Sequence, residues 1–133
     1  GEVVIPETVE FKRTAHSVTS IGGYAFNRCT GLTSVTIPNS VTSIGHTAFW
    51  NCSNLTVVSI GNSMTRIGGH AFGWCPKLEQ VFCYAENVPS ANSEAFYDSN
   101  IEDATLHVPD ASIESYKSKA PWSKFGNIVA LTD

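Results

Sequence analysis

Cys29, Cys52 and Cys75 are spaced 23 residues apart, and this regularity is the first feature of the chain that could do chemistry. Three thiols brought into one column could hold a soft metal ion or close a disulfide. Zinc sites, however, are usually built from tight C-x-x-C or similarly close pairs, and the chain has none. The structural alternative fits better: each cysteine fills the same inward slot of a turn, where a small buried hydrophobe with a weak S–H donor satisfies a nearby carbonyl. Cys83, the fourth, stands where other copies of the repeat have isoleucine. No metal and no cofactor are expected. The four histidines, His16, His46, His70 and His107, fall in unlike slots, and none has a Glu or Cys at ligand spacing. A nucleophile elbow, a phosphate-binding glycine loop and HExxH are all missing from the sequence, so the chain is read as non-enzymatic.

The aromatic residues offer a second kind of chemistry, contact with a partner. Trp50 and Trp74 occupy neighbouring variable positions directly after a recurring phenylalanine, where other copies carry Asn27, Arg28, Asn51, Gly73, Tyr97 and Asp98. At least one of the two tryptophans should therefore be partly exposed. Exposed aromatic rings mark interfaces and can stack on sugars. The plainer alternative is that both rings cover the edges of their own coils. A second candidate surface is the outward side of a strand, with Ser34, Val57 and Gln80 in one row and Thr36, Ser59 and Phe82 in the next. Phe82 pointing outward would make a small apolar contact point unless the C-terminal segment covers it.

What positions these residues is a tandem repeat. Residues 18–40, 41–63 and 64–86 are three copies of one 23-residue unit, the first two identical at 14 of 23 positions. Self-similarity at such a period means a stack in which each unit buries its apolar face against its neighbours. Within a unit, residues 32–37 read L-x-x-V-x-I, placing Val35 and Ile37 on one side and Ser34 and Thr36 on the other. That pattern is one short strand per coil. Its equivalents are Val58 and Ile60, Val81 and Cys83, and Leu106 and Val108, with Val3 and Ile5 starting the ladder. Pro38-Asn39, Gly61-Asn62 and Pro109-Asp110 mark the turn leaving the strand. On the other side, Ile-Gly is followed three residues later by Ala-Phe, which fits a short helical turn opened by the glycine. Phe26, Phe49, Phe72 and Phe96 should stack as an aromatic spine. The fourth unit, ending near Pro109, has drifted and carries Ser99 in place of the cysteine.

After Pro109 the repeat stops. Residues 110–119 read as a short helix with Asp110 or Ser112 as N-cap and Ile113 and Tyr116 on one face, which Pro121 ends. Trp122, Phe125 and Ile128 follow at spacing three, leading into the β-prone residues 128–131. This segment is read as a cap on the last coil, because an open sheet end is an aggregation site. The organisation expected is a partial N-terminal coil (1–17), four repeats (18–109) and a C-terminal cap (110–133), together one structural domain.

Charged residues make up 15% of the 133-residue chain, below the roughly 25% usual for soluble domains, and the net charge is −4 with no Lys/Arg cluster. Neither nucleic acid nor an anionic membrane surface is therefore an expected partner. No apolar run approaches the roughly 18 residues that cross a bilayer. The N-terminus GEVVIPETVE is not a signal peptide, and because Val3-Val4-Ile5-Pro6 resembles Val35-Thr36-Ile37-Pro38, the chain is expected to begin inside a coil. It reads as a processed or trimmed product whose export signal would have been lost with the preceding segment.

At V-T-S-I-G-x-x-A-F-x-x-C-x-x-L-T-S-V-x-I-P the sequence resembles the BspA-like leucine-rich repeats of bacterial surface and secreted proteins, and its tail resembles the ends of such proteins from gut Bacteroidetes. The resemblance implies an α/β leucine-rich repeat solenoid with one short parallel strand per coil, a short helical turn opposite and a C-terminal cap. It also implies an extracellular or cell-surface location and adhesion to host or bacterial macromolecules, with no shared ligand residue to carry over. A protein partner is the leading expectation. Carbohydrate binding through Trp50, Trp74 and Tyr97, or a purely structural spacer, are the alternatives.

Overall fold

In a computed structural model, which describes residues 1–11 and 14–132, each repeat closes one coil and contributes to two parallel sheets. The side chains of residues 9–16, His16 among them, lie outside that description. In chain order the strands are β1 (Glu2–Val4), β2 (Thr8–Phe11), β3 (Thr14–Ser17), β4 (Ser20–Ile21), β5 (Ser34–Ile37), β6 (Ser43–Ile44), β7 (Val57–Ile60), β8 (Arg66–Ile67), β9 (Gln80–Cys83), β10 (Ser90–Ala91), β11 (Thr105–Val108) and β12 (Asn127–Ala130). The larger sheet runs β1-β5-β7-β9-β11-β12, with every pairing parallel.

Its register follows the repeat. Val35, Val58, Val81 and Leu106 are successive partners, and so are Ile37, Ile60 and Cys83. All seven, with Val108, are no more than 1% exposed. Strict alternation in the strand sends these side chains inward and leaves their neighbours on the open face. Val3 pairs with Val35 and Ile5 N–H donates to Thr36 O (2.9 Å), so the ladder starts where the sequence places it. Between the first strand and the first full repeat, β2 and β3 form an antiparallel hairpin, which the repeat pattern does not anticipate.

The second sheet runs β10-β8-β6-β4 and aligns Ile21, Ile44, Ile67 and Ala91. Immediately after it comes the helical turn, realised as successive i→i+3 bonds such as Ala25 N–H to Gly22 O and Asn27 N–H to Tyr24 O. It does not run on as a helix, because two residues per coil adopt left-handed backbone: Tyr24 and Arg28, Thr47 and Asn51, His70 and Trp74. No glycine among the described residues has positive φ, so those opening the turn matter for their missing side chain. They let coils approach. A Cβ at Gly45 would sit 2.5 Å from Gly23 N, one at Gly68 2.6 Å from His46 N, and one at Gly61 2.6 Å from the Pro38 carbonyl.

Behind the turn, Phe26, Phe49, Phe72 and Phe96 stack with centroids 5.0, 5.1 and 5.6 Å apart and planes within 12° of parallel. The C-terminal segment closes this spine. A short helix α1 (Ile113–Lys117) carries Tyr116, and Trp122 and Phe125 meet Phe96 edge-on at 5.7 and 5.2 Å. The polar atoms of the cap are satisfied: Tyr116 OH donates to Ala85 O (2.6 Å) and Trp122 Nε1 to Pro89 O (3.0 Å). Ser112 does occupy the N-cap, but its hydroxyl donates to Glu86 O (2.7 Å) rather than to the helix. That bond ties the cap to the preceding coil.

Candidate functional site

The cysteine column is structural. Cys52 Sγ donates to Phe26 O and Cys75 Sγ to Phe49 O, both at 3.3 Å, and Ser99 Oγ makes the equivalent bond to Phe72 O. A hydroxyl doing the same work as the thiols explains why the drifted fourth repeat tolerates serine. Burial pushes the Cys52 thiol up to about 11 and the Cys75 thiol up to about 12, and it raises Cys83 as well. Desolvation disfavours the thiolate, so none of these is a ready ligand or nucleophile. All four cysteines are free, and among the described residues no cluster of His, Cys, Asp and Glu could hold a metal ion.

The first candidate surface is the outward face of the large sheet. Ser34, Val57, Gln80, Thr105 and Asn127 form one row, and Val4, Thr36, Ser59, Phe82, His107 and Val129 the next. The cap does not cover Phe82, because β12 extends the sheet sideways beyond β11 instead of folding over it. Phe82 and His107 lie face to face with centroids 4.2 Å apart and planes within 5°. His107 Nε2 donates to Gln80 Oε1 at 2.6 Å, so the three side chains form one linked unit across β9 and β11. Desolvation lowers the His107 pKa below its usual value, which favours the neutral imidazole. Sequence reasoning singles out Phe82 and Gln80 but misses His107, whose slot holds small or apolar residues in the other coils.

The second candidate surface is the edge formed by the turns. Trp50 is half-buried, its ring lying over Gly73, where an added Cβ would meet Trp50 Cε3 at 2.7 Å. Trp74 and Tyr97 stand out at 48% and 44% exposure. His70 joins them: its ring is edge-on to Trp50 (5.2 Å, 87°) and to Tyr97 (5.4 Å, 83°), while Trp74 tilts against Trp50 at 6.0 Å. The two rings thus differ: Trp50 lies over the following coil and not over the edge of its own, and Trp74 faces solvent. The buried Nδ1 of His70 has no hydrogen-bond partner. The structure brings Trp50, Trp74 and Tyr97 together, and it places Phe82 and Gln80 apart from them on the sheet face.

The profile described as BspA type leucine rich repeat region matches residues 7–120 in six copies. No curated protein matches the chain. Among solved structures, a leucine-rich repeat protein from Bacteroides ovatus is similar, with 28% identity and a TM-score of 0.65 over 98% of this chain and 33% of its own. A leucine rich cell surface protein from Faecalibacterium prausnitzii is 29% identical with a TM-score of 0.54, over 83% of this chain and 30% of its own. A leucine-rich repeat protein from Bacteroides capillosus shares the fold, with 24% identity and a TM-score of 0.62. The chain spans about a third of the length of the first two.

Proposed function

Since the chain belongs to the BspA-type leucine-rich repeat family, we propose that it is a non-enzymatic binding module of an exported bacterial protein, holding a protein partner on the open face of its larger sheet. The observation that carries this reading is the Phe82–His107 stack pinned by Gln80 on the fourth and fifth strands of that face. An aromatic anchor already held by its neighbours loses little conformational entropy on contact, and a few such aromatic groups dominate interface energetics. The partner would be a host or bacterial surface protein, and the module would work outside the cell or on its surface. Support for that location comes from the family and from the cell-surface description of the F. prausnitzii relative. A second reading, binding of a glycan through Trp50, Trp74 and Tyr97, is favoured by the exposure of the last two rings on adjacent coils.

One comparison separates the readings. The purified chain is screened against immobilised extracellular-matrix and bacterial surface proteins and, in parallel, on a glycan array. Phe82→Ser should weaken capture of a protein by roughly tenfold or more while the thermal melt is retained, and Gln80→Ala should act in the same direction. Undiminished capture by both variants would overturn the assignment of the sheet face. Sugar binding that is lost on Trp74→Ala or Tyr97→Ala, without protein capture, would establish the second reading in its place.

A further inference from the structure

Each coil gives its turn amides to the next one. Phe26, Phe49 and Phe72 N–H donate to Ala48, Ala71 and Ala95 O at 2.7, 2.7 and 2.8 Å. Two residues on, Arg28, Asn51 and Trp74 N–H donate to Trp50, Gly73 and Tyr97 O at 2.7, 2.9 and 2.7 Å. A third amide per turn, that of Tyr24, Thr47 and His70, donates to His46, Gly69 and Glu94 O, and its counterpart in the last coil, Glu94 N–H, donates instead to Asn92 Oδ1 (2.9 Å). The left-handed residue at Arg28, Asn51, Trp74 and Asp98 accompanies the other two donors, which point along the stack. By this periodicity the last pair is Phe96 and Asp98. Among the described residues neither of these amides has an acceptor. No fifth turn follows. The chain leaves through a short 3-10 helix (Ile101–Asp103) into β11 and returns to this end only at the 3-10 turn Trp122–Lys124. The space a further turn would occupy is a cleft lined by Glu94, Phe96, Tyr97, Asp98, Glu102 and Lys124.

Chemistry limits what can enter. Two N–H groups on alternate residues call for two acceptors, which alternate backbone carbonyls of a peptide segment supply, as in strand addition at a sheet edge. The rim argues against an anion, because Glu94, Asp98 and Glu102 are exposed carboxylates facing a single ammonium, that of Lys124. Among the described residues the only ion pair is Lys117 with Glu114, so these carboxylates are not neutralised within the chain. We propose that this cleft binds an extended basic peptide segment of a partner protein, its backbone carbonyls accepting the Phe96 and Asp98 amides and its Lys or Arg side chains meeting Glu94, Asp98 and Glu102. Tyr97 forms one wall. The site is separate from the sheet face, and the two stand or fall independently.

The test is an NMR titration of the whole chain at low ionic strength, where screening is weakest, with a short peptide of alternating lysine and threonine. A matching peptide of alternating glutamate and threonine, spermidine and inorganic phosphate serve as controls. The basic peptide should bind saturably and slow hydrogen exchange at the Phe96 and Asp98 amides, and the acidic peptide should not bind. Asp98→Asn, which suits the left-handed backbone, and Glu102→Gln should each weaken binding roughly threefold, the size of an exposed charge pair. Phe82→Ser should leave it unchanged. Absence of saturable binding would overturn the proposal. So would chemical-shift changes without protection of those two amides, or equal protection by spermidine or phosphate.

Discussion

A cysteine and a serine doing the same job show what the column of polar atoms is for. Cys52, Cys75 and Ser99 each satisfy the carbonyl of a stacked phenylalanine one coil earlier, inside a core where an unpaired carbonyl would be costly. Cys29 is different: it is only half-buried. Because burial raises Cys52 to about 11 and Cys75 to about 12, almost none of either is thiolate at about pH 8, and thiolate is the reactive form. Ellman's reagent should therefore titrate Cys29 alone in the native protein and all four thiols after unfolding. A native protein in which three or four react rapidly, or a mass two hydrogens lower per pair, would refute this assignment. The cysteine slot was legible because it recurs at a fixed interval. The histidines were not, because what His70 and His107 touch is set by residues 20 to 27 positions away on neighbouring coils: Trp50, Tyr97, Phe82 and Gln80. No spacing rule reports such contacts between dissimilar slots.

At the scale of the element, the turn between the two sheets combines a fully buried aromatic stack with left-handed backbone. Phe49 is fully buried between two parallel rings, while Thr47, two residues before it, is β-branched at φ 59°. Left-handed backbone costs an ordinary residue about 1–2 kcal/mol, and asparagine tolerates it far better. Thr47→Asn should accordingly raise stability by roughly 1 kcal/mol, since the bond it removes, Thr47 Oγ1 with His46 Nδ1 at 3.3 Å, is exposed. Phe49→Ala should lower it by about 3–5 kcal/mol through lost transfer and a residual cavity. Denaturant midpoints measure both, and equal losses at the two positions would mean that the turn backbone is misassigned. The long strands and the phenylalanine spine could be read from alternation and repetition. The second sheet could not, because strands of two residues have no period to detect. Nor could the left-handed positions, which are filled by Tyr24, Arg28, Thr47, Asn51, His70 and Trp74 with no glycine to signal them. The conserved-looking glycines instead record how closely the coils approach.

Across the whole molecule, stability passes from coil to coil, so the end of the stack governs the rest. β12 completes the large sheet beside β11 with Leu106 opposite Ile128 and Val108 opposite Ala130, and Tyr116, Trp122 and Phe125 lie over the end of the phenylalanine spine, buried to 5% exposure or less. One segment thus covers both the sheet edge and the core end. Deleting residues 110–133 would uncover Phe96, Leu106 and Val108, which are 5%, 0% and 0% exposed in the intact chain, and would leave the carbonyls of Ala85, Glu86 and Pro89 without their donors from Tyr116, Ser112 and Trp122. Apolar area and an unpaired parallel edge exposed together are a template for association. The truncated chain should aggregate or melt without cooperativity, as repeat stacks do when the terminal cap is lost. Size-exclusion chromatography and a thermal melt of that truncation decide the matter. A monomer with an unchanged melting temperature would show that the last coil is self-sufficient and that the segment serves something other than closure.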